Sequence, residues 1–110
     1  MAGKFVLKNA RGGKFSFNLC AGNGQVILTS ETYNSKKSAQ NGIASVGKNC
    51  SNDKCFDRKV AKNGKPYFNL KSGNGQVIGK SQMYSSNAAM EKGIASVKAN
   101  GGSRVDDQTK

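Results

Sequence analysis

The sequence predicts an α+β fold in which two copies of a three-strand-plus-helix unit form a single antiparallel sheet with both helices on one face. A shift of 51 residues aligns Lys4–Cys50 with Cys55–Gly101 without a gap, and 23 of the 47 aligned pairs are identical. Such self-similarity at one fixed period indicates a tandem repeat. Within each copy, apolar residues first alternate with a period of two, as in strands, and then recur with a period near 3.6, as in helices.

The repeats are expected to form one domain spanning residues 1–110, with repeat 1 at 4–50, repeat 2 at 55–101 and a polar tail at 102–110. A chain the length of one copy buries only about 60% of its unfolded surface and is marginal alone. We therefore expect a shared core, a sheet of six to eight strands and a monomer.

The first repeat opens with three predicted strands joined by glycine turns. Arg11-Gly12-Gly13 predicts the first turn, and Asn23-Gly24 predicts a type I′ hairpin in which both residues take positive φ. The predicted strands are Lys4–Lys8, Lys14–Cys20 and Gln25–Thr29.

A helix follows these strands, with Ser35 as its predicted N-cap. Its apolar positions recur at helical spacing and are Ala39, Gly42, Ile43 and Val46. Glycine in mid-helix costs roughly 1 kcal/mol relative to alanine. We therefore expect Gly42 to mark a close approach of the helix to the sheet. Tyr33, just before the cap, is interpreted as a side chain that pins the loop over the core, and a base-stacking role is the alternative.

The second repeat is predicted to reproduce this plan after the polar connector 49–54. Its predicted elements are the strands Phe56–Ala61, Lys65–Lys71 and Gln76–Lys80 and the helix Ser86–Ala99. The tail is expected to fray, although Arg104-Val105-Asp106 is compatible with a short edge strand.

Charge is the main functional signal, because 18 basic residues against six acidic residues give a net charge of +12. If the helices cover one face of the sheet, strand alternation directs a lysine-rich set to the other face. A polyanion such as RNA or DNA would bind such a surface through its phosphates. The residues of this candidate polyanion-binding face are Lys8, Lys14, Lys59, Lys65, Tyr67 and Lys71. The alternatives are a solvated face that has no ligand and a protein-interaction or structural module that acts through exposed sheet edges.

No catalytic, cofactor-binding or metal site is expected. The chain has no histidine, and none of its acidic residues is present in both copies, so an enzyme is not predicted. The Gly-Asn-Gly segments lie between strands without a phosphate-loop lysine, which favours turns over nucleotide binding. The three cysteines Cys20, Cys50 and Cys55 are interpreted as unpaired cytosolic thiols, and the alternatives are a Cys50–Cys55 disulfide or a reactive thiol.

Apolar runs are only a few residues long, and the N-terminal segment has no hydrophobic stretch typical of an export signal. We therefore expect a cytoplasmic protein that does not enter a membrane.

The paired Phe-Asn-Leu, the paired Gly-Asn-Gly-Gln-Val-Ile, the helices ending in Gly-Ile-Ala-Ser-Val and the segment Asn-Gly-Lys-Pro-Tyr-Phe-Asn-Leu closely resemble the duplicated YegP-like family of uncharacterised bacterial proteins. The resemblance covers nearly the whole chain. It implies a single antiparallel sheet whose two units exchange their C-terminal strands, with single-copy relatives that assemble the same sheet as dimers. It implies no activity and no ligand.

Overall fold

A computed structural model describes residues 3–109. It contains one seven-stranded sheet and two α-helices. The strands are β1 Lys4–Ala10, β2 Lys14–Cys20, β3 Val26–Ser30, β4 Phe56–Val60, β5 Pro66–Lys71, β6 Val77–Lys80 and β7 Arg104–Asp107, and the helices are α1 Lys36–Asn49 and α2 Asn87–Asn100. The predicted N-cap Ser35 accepts from the Ser38 amide, and Ser86, its equivalent in the second repeat, caps α2 by accepting from the Ala89 amide.

The strand order is β4-β5-β6-β3-β2-β1-β7, and every neighbouring pair is antiparallel except β1 and β7. The sheet is therefore mixed, and the prediction of a purely antiparallel sheet was wrong at this edge. The reason is the position of the end of α2, where Asn100 Oδ1 accepts from the Gly3 amide at 3.2 Å. After a short turn, β7 starts beside the beginning of β1 and runs in the same direction.

The tail is thus an edge strand over Arg104–Asp107. Beyond it, the Gln108 amide donates to the Leu7 carbonyl at 2.8 Å. In the first repeat, the segment that corresponds to β7 is the 3₁₀ turn Asp53–Cys55, which leads directly into β4. Within residues 3–109, only the second repeat contributes a C-terminal strand to the other repeat.

The core lies between the helices and one face of the sheet, and equivalent residues of the two repeats occupy it. Phe17 and Phe68 are fully buried, and each makes an edge contact with the phenylalanine of the neighbouring strand, Phe5 or Phe56. The buried residues of both repeats form one cluster. The shared core predicted from the length of a single repeat is therefore observed.

The two repeats join where β3 pairs with β6, through Thr29 with Lys80 and Ser30 with Gly79. The repeat departs from symmetry here, because Leu28 has Gly79 as its equivalent. A Cβ on Gly79 would lie 2.9 Å from Leu28 Cγ and 3.0 Å from the Thr29 carbonyl oxygen. The junction therefore has room for one large side chain, and Leu28 fills it.

Gly42 and Gly93 face the tyrosine that precedes their own helix. Tyr33 stacks on Phe17 and Tyr84 stacks on Phe68, with ring centroids 6.1 and 6.3 Å apart. A Cβ on either glycine would overlap the tyrosine hydroxyl. The interpretation of these tyrosines as core pins agrees with this packing. Gly42 also lies close to the sheet, because its Cβ would be 2.9 Å from Phe17 Cε2, whereas the atoms nearest to a Cβ on Gly93 all belong to Tyr84.

The Asn-Gly hairpins differ from the predicted type I′ turn. Asn23 has a negative φ, and only Gly24 is left-handed, with φ of 85°. The Gly24 amide donates to the Ala21 carbonyl at 2.9 Å, and the Asn23 side chain accepts from the Gln25 amide at 3.0 Å. The asparagine is thus used for its side-chain acceptor, and the glycine supplies the only positive φ.

Candidate functional site

The sheet face opposite the helices, called the open face below, carries one row of residues in register across all seven strands. Its ends are acidic and its centre is polar. The row reads Asp57, Asn69, Lys80, Thr29, Asn18, Val6 and Asp106.

Four lysines and a tyrosine of the second repeat lie in this row or beside it, and we call them the second-repeat cluster. Its members are Lys59 on β4, Lys65 just before β5, Tyr67 and Lys71 on β5, and Lys80 on β6. The alternation of β4 and β5 directs the first four of these residues to the open face. The pairing of Lys80 with Asn69 brings the fifth to the same face.

Lys80 is the member that sequence reasoning missed. Ile78 and Gly79 are both buried although they are adjacent, because the β5–β6 register shifts between Leu70 and Lys71. A bulge of this kind breaks the period-two pattern from which a face is assigned. No signal in the sequence of β6 alone identifies the face of Lys80.

Tyr67 and Lys80 form a direct pair, with the Lys80 ammonium 5.0 Å from the centre of the Tyr67 ring. A cation over an aromatic face contributes about 0.5 to 1 kcal/mol at exposed sites. The pair places a positive charge beside an aromatic ring on a surface that no helix covers.

Asp57 partly neutralises the cluster. Its Oδ2 atom lies 3.1 Å from the Lys71 ammonium and 3.3 Å from the Lys59 ammonium. The hydrogen bond from Lys71, with a smaller contribution from Lys59, holds the pKa of Asp57 below its usual value. The charges of the four lysines exceed that of Asp57, so the cluster keeps an excess of positive charge.

The first repeat does not reproduce this cluster. Lys8 and Lys14 are the equivalents of Lys59 and Lys65, but Ser16 stands where the second repeat has Tyr67. The positions of Lys71 and Lys80 are likewise taken by uncharged residues, Cys20 and Thr29.

The structure therefore brings Lys59, Lys65, Tyr67 and Lys71 together and leaves Lys8 and Lys14 on the other half of the open face. The predicted six-residue face divides into two unequal halves.

The other acidic side chains, apart from Glu31, also have basic partners. Arg58 bridges Glu91 and Asp53, with shortest contacts of 2.6 and 3.0 Å, and Lys98 lies 3.1 Å from Asp53. At the opposite edge, Lys4 pairs with Asp106 and Lys36 pairs with Asp107. Within residues 3–109, no three potential metal ligands cluster. The three cysteines are buried free thiols, and burial raises the pKa of Cys50.

Several of the polar residues that occur in both repeats line two grooves between the repeats. One groove, of about 400 Å³, lies between α1 and the β5–β6 hairpin. The other, of about 300 Å³, lies between α2 and the β2–β3 hairpin. They are lined by equivalent residues, including Tyr33, Asn74 and Gln76 in the first and Tyr84, Asn23 and Gln25 in the second. Each groove thus combines a helix of one repeat with a hairpin of the other.

Comparison with known proteins identifies the family. A family model described as a domain of unknown function, DUF1508, matches the chain twice, over residues 10–57 and 61–107. The chain belongs to this family. The UPF0339 protein YegP of Escherichia coli K12 is 54% identical over 110 residues, which cover 99% of this chain and 100% of that protein. A UPF0339 protein of Acinetobacter baylyi is 57% identical over 101 residues, which cover 92% of this chain and 91% of the relative. The YegP-like resemblance is therefore confirmed.

Solved structures of UPF0339 members share the fold. The solution NMR structure of yegP from Escherichia coli, titled a protein of unknown function, matches with a TM-score of 0.93 over 99% of this chain and 95% of that one. A solution NMR structure of a UPF0339 protein from Shewanella oneidensis matches with a TM-score of 0.93 at 51% identity, over 99% of this chain and 93% of that one. Neither helix of residues 3–109 is long and apolar enough to cross a membrane.

Proposed function

We propose that this UPF0339 member is a non-enzymatic protein that binds single-stranded nucleic acid weakly, and with little sequence preference, through the second-repeat cluster. The observation that carries the proposal is the Tyr67–Lys80 pair on an uncovered sheet face, with further lysines around it. Lysines attract phosphates through charge and counterion release, and an aromatic ring stacks on any base.

The composition of the cluster also sets the expected strength. A sheet that reads RNA through stacking usually offers two or three aromatic side chains, whereas this cluster offers Tyr67 alone. Asp57 is also positioned to repel phosphates next to Lys59 and Lys71. Both features support weak, sequence-tolerant binding.

Several observations support a non-enzymatic role. The buried cysteines are screened from substrate, and five of the six carboxylates are paired with basic side chains. Monomeric state and a cytoplasmic location complete the proposal, and free buried thiols are typical of a reducing compartment.

The experiment is a fluorescence-anisotropy titration with a labelled single-stranded RNA at two salt concentrations. Lys65→Gln should weaken binding and reduce the slope of log K against log salt by about 0.7. Lys14→Gln, the matched variant in the first repeat, should change both less. Tyr67→Ala should lower affinity for the single strand more than for a duplex, with the slope unchanged.

Affinity no higher than that of an unrelated protein of equal charge would overturn the proposal and leave a solvated lysine face. Equal effects of Lys14→Gln and Lys65→Gln would show that the affinity depends on the net charge of the whole protein rather than on the cluster.

A second candidate function is partner binding at a sheet edge. The observation that favours it is the position of β4 at the end of the strand order, with no strand of residues 3–109 on its outer side.

A further inference from the structure

We propose that the outer edge of β4 binds an extended segment of a partner protein that runs parallel to β4 and carries an apolar residue followed by a basic one. The proposal develops the second candidate function and is independent of nucleic-acid binding. It rests on the internal repeat, because the molecule already contains one strand bound at the equivalent edge.

That bound strand is β7. The 51-residue shift places β4 on β1, and β7 lies parallel to β1 with Val105 opposite Phe5 and Asp106 opposite Val6. The equivalent position beside β4 has no occupant within the described residues, because the corresponding chain segment is the connector into β4. The β1 edge thus shows both the direction and the register of a strand added at the β4 edge.

One backbone group at the outer edge of β4 already has a hydrogen-bond partner. The Phe56 amide already donates to the Asp53 carbonyl. Further along, the Leu7 carbonyl of β1 accepts from the Gln108 amide at 2.8 Å, and its equivalent in β4 is the carbonyl of Arg58. The added strand is therefore expected to pair with β4 from Phe56 onward, through outward-facing groups such as the Arg58 carbonyl.

The side chains specify a different sequence from that of β7. Asp106 lies opposite Val6 and pairs with Lys4 at 3.5 Å. At the β4 edge, Cys55 replaces Lys4, so the basic partner of an acidic residue is absent. Asp57 replaces Val6, so a carboxylate lies opposite that position instead.

The Oδ1 atom of Asp57 can accept from a basic side chain of the added strand. The ammonium groups of Lys59 and Lys71 both contact Oδ2, and neither of these two ion pairs engages Oδ1. The segment position opposite Asp57 therefore favours lysine or arginine.

The next residue of the added segment, at the position equivalent to Asp107, is inferred in the same way. Asp107 pairs with Lys36 at 2.6 Å, whereas the equivalent of Lys36 is Asn87. Arg58, which replaces Leu7 opposite this position, is already paired with Glu91 and Asp53, so a neutral polar residue is suitable there. Opposite Phe56, an apolar residue matches Val105 opposite Phe5.

The test uses the intact, ¹⁵N-labelled protein and two capped synthetic peptides. One peptide, Ser-Arg-Val-Lys-Asn-Gln-Thr, follows the pattern derived for β4, and the other, Ser-Arg-Val-Asp-Asn-Gln-Thr, differs only by keeping the aspartate of residue 106 at the position opposite Asp57. Both are titrated to millimolar concentration. The first should shift the backbone amides of β4 and bind about threefold more tightly than the second, as expected for one exposed ion pair.

Two variants and a spin label make the test specific. Asp57→Ala should remove the difference between the peptides, whereas Glu31→Ala, which removes a carboxylate that lines the β3–β6 junction, should preserve it. A spin label at the N-terminus of the lysine peptide should broaden the amides at the start of β4 for parallel pairing.

The proposal is overturned if β4 does not shift, if shifts are confined to β1 and β7, if the two peptides bind equally, or if the label broadens the end of β4 near Val60. Asp57→Ala also separates the two proposals, since it should strengthen nucleic-acid binding by removing a negative charge from the cluster while it removes the peptide preference.

Discussion

Gly93 lies in the middle of α2, where alanine is favoured by roughly 1 kcal/mol in helix propensity. The structure predicts the opposite result for Gly93→Ala, because the new Cβ would overlap the Tyr84 hydroxyl and the ring is held by its stack on Phe68. We expect a net loss of about 1 to 3 kcal/mol in the free energy of unfolding, measured by urea denaturation. Gly73→Ala is the control, since a Cβ there meets nothing within 4 Å. If Gly93→Ala were as stable as the parent protein or more stable, the Tyr84 side chain would move aside at little energetic cost.

Ser81 is the buried polar residue whose role the sequence did not reveal. Its hydroxyl accepts from the Phe68 amide at 3.0 Å and donates to the Gln82 carbonyl at 2.7 Å, and Ser30 makes the equivalent bonds in the first repeat. From the sequence alone both serines are interpreted as surface or capping groups, and the burial of Ser81 shows that this is wrong for it. In each repeat the serine hydroxyl, and not a backbone carbonyl of the neighbouring chain, accepts the hydrogen bond from the strand amide. A sequence gives no sign of this exchange of acceptors.

Ser81→Ala should lower the free energy of unfolding by about 1 to 3 kcal/mol, because it leaves the buried Phe68 amide without an acceptor. Exposed Ser85→Ala is the matched control and should be nearly neutral. The comparison is made by thermal and urea denaturation, and similar losses for both variants would contradict the assigned role of Ser81.

At the scale of elements, β7 is held at its far end by an ion pair. The Lys36 ammonium lies 2.6 Å from Asp107 and, with bonds from Thr109, lowers the pKa of Asp107 to about 2. A depressed carboxyl pKa contributes stability above the unfolded pKa, near 3.8, and loses it as the pH falls through the folded value. The protection of the amides of residues 104–107, expressed relative to their intrinsic exchange rates, should therefore fall as the pH is lowered from about 4 to about 2.

Asp107→Asn provides the control for that titration. It should exchange faster than the parent protein at neutral pH and lose the part of the acid response that is due to this group. The ion pair would have no role in holding β7 if the parent and the variant had the same exchange profile at every pH.

The elements themselves were largely predictable, since turn glycines, serine caps and period-two alternation are local signals. The β7 position was not, because it depends on where α2 ends beside Gly3. The sheet face on which Lys80 lies could not be predicted either, since the bulge at Leu70 and Lys71 is set by pairing between strands. Strand alternation predicted one face for all six residues, but it did not show that Lys8 and Lys14 lie on the other half of the sheet from the second-repeat cluster.

At the scale of the molecule, the repeats depend on one another. They share one buried cluster and two grooves, and β3 meets β6 over only two residue pairs. Expressing residues 1–52 and 53–110 separately should give fragments that are unfolded or self-associated, as judged by amide dispersion and sedimentation. A monomeric half with a well-dispersed spectrum would show that one repeat is sufficient for folding.

The central functional claim is that the two halves of the open face are unequal. It is tested most directly by titrating the ¹⁵N-labelled protein with a single-stranded oligothymidine and mapping the amide shifts. The account predicts that the shifts concentrate on β4, β5 and β6, around Tyr67, Lys71 and Lys80, and that Tyr67→Ala reduces them. Shifts centred on Lys8 and Lys14, or spread evenly over both faces of the protein, would contradict it.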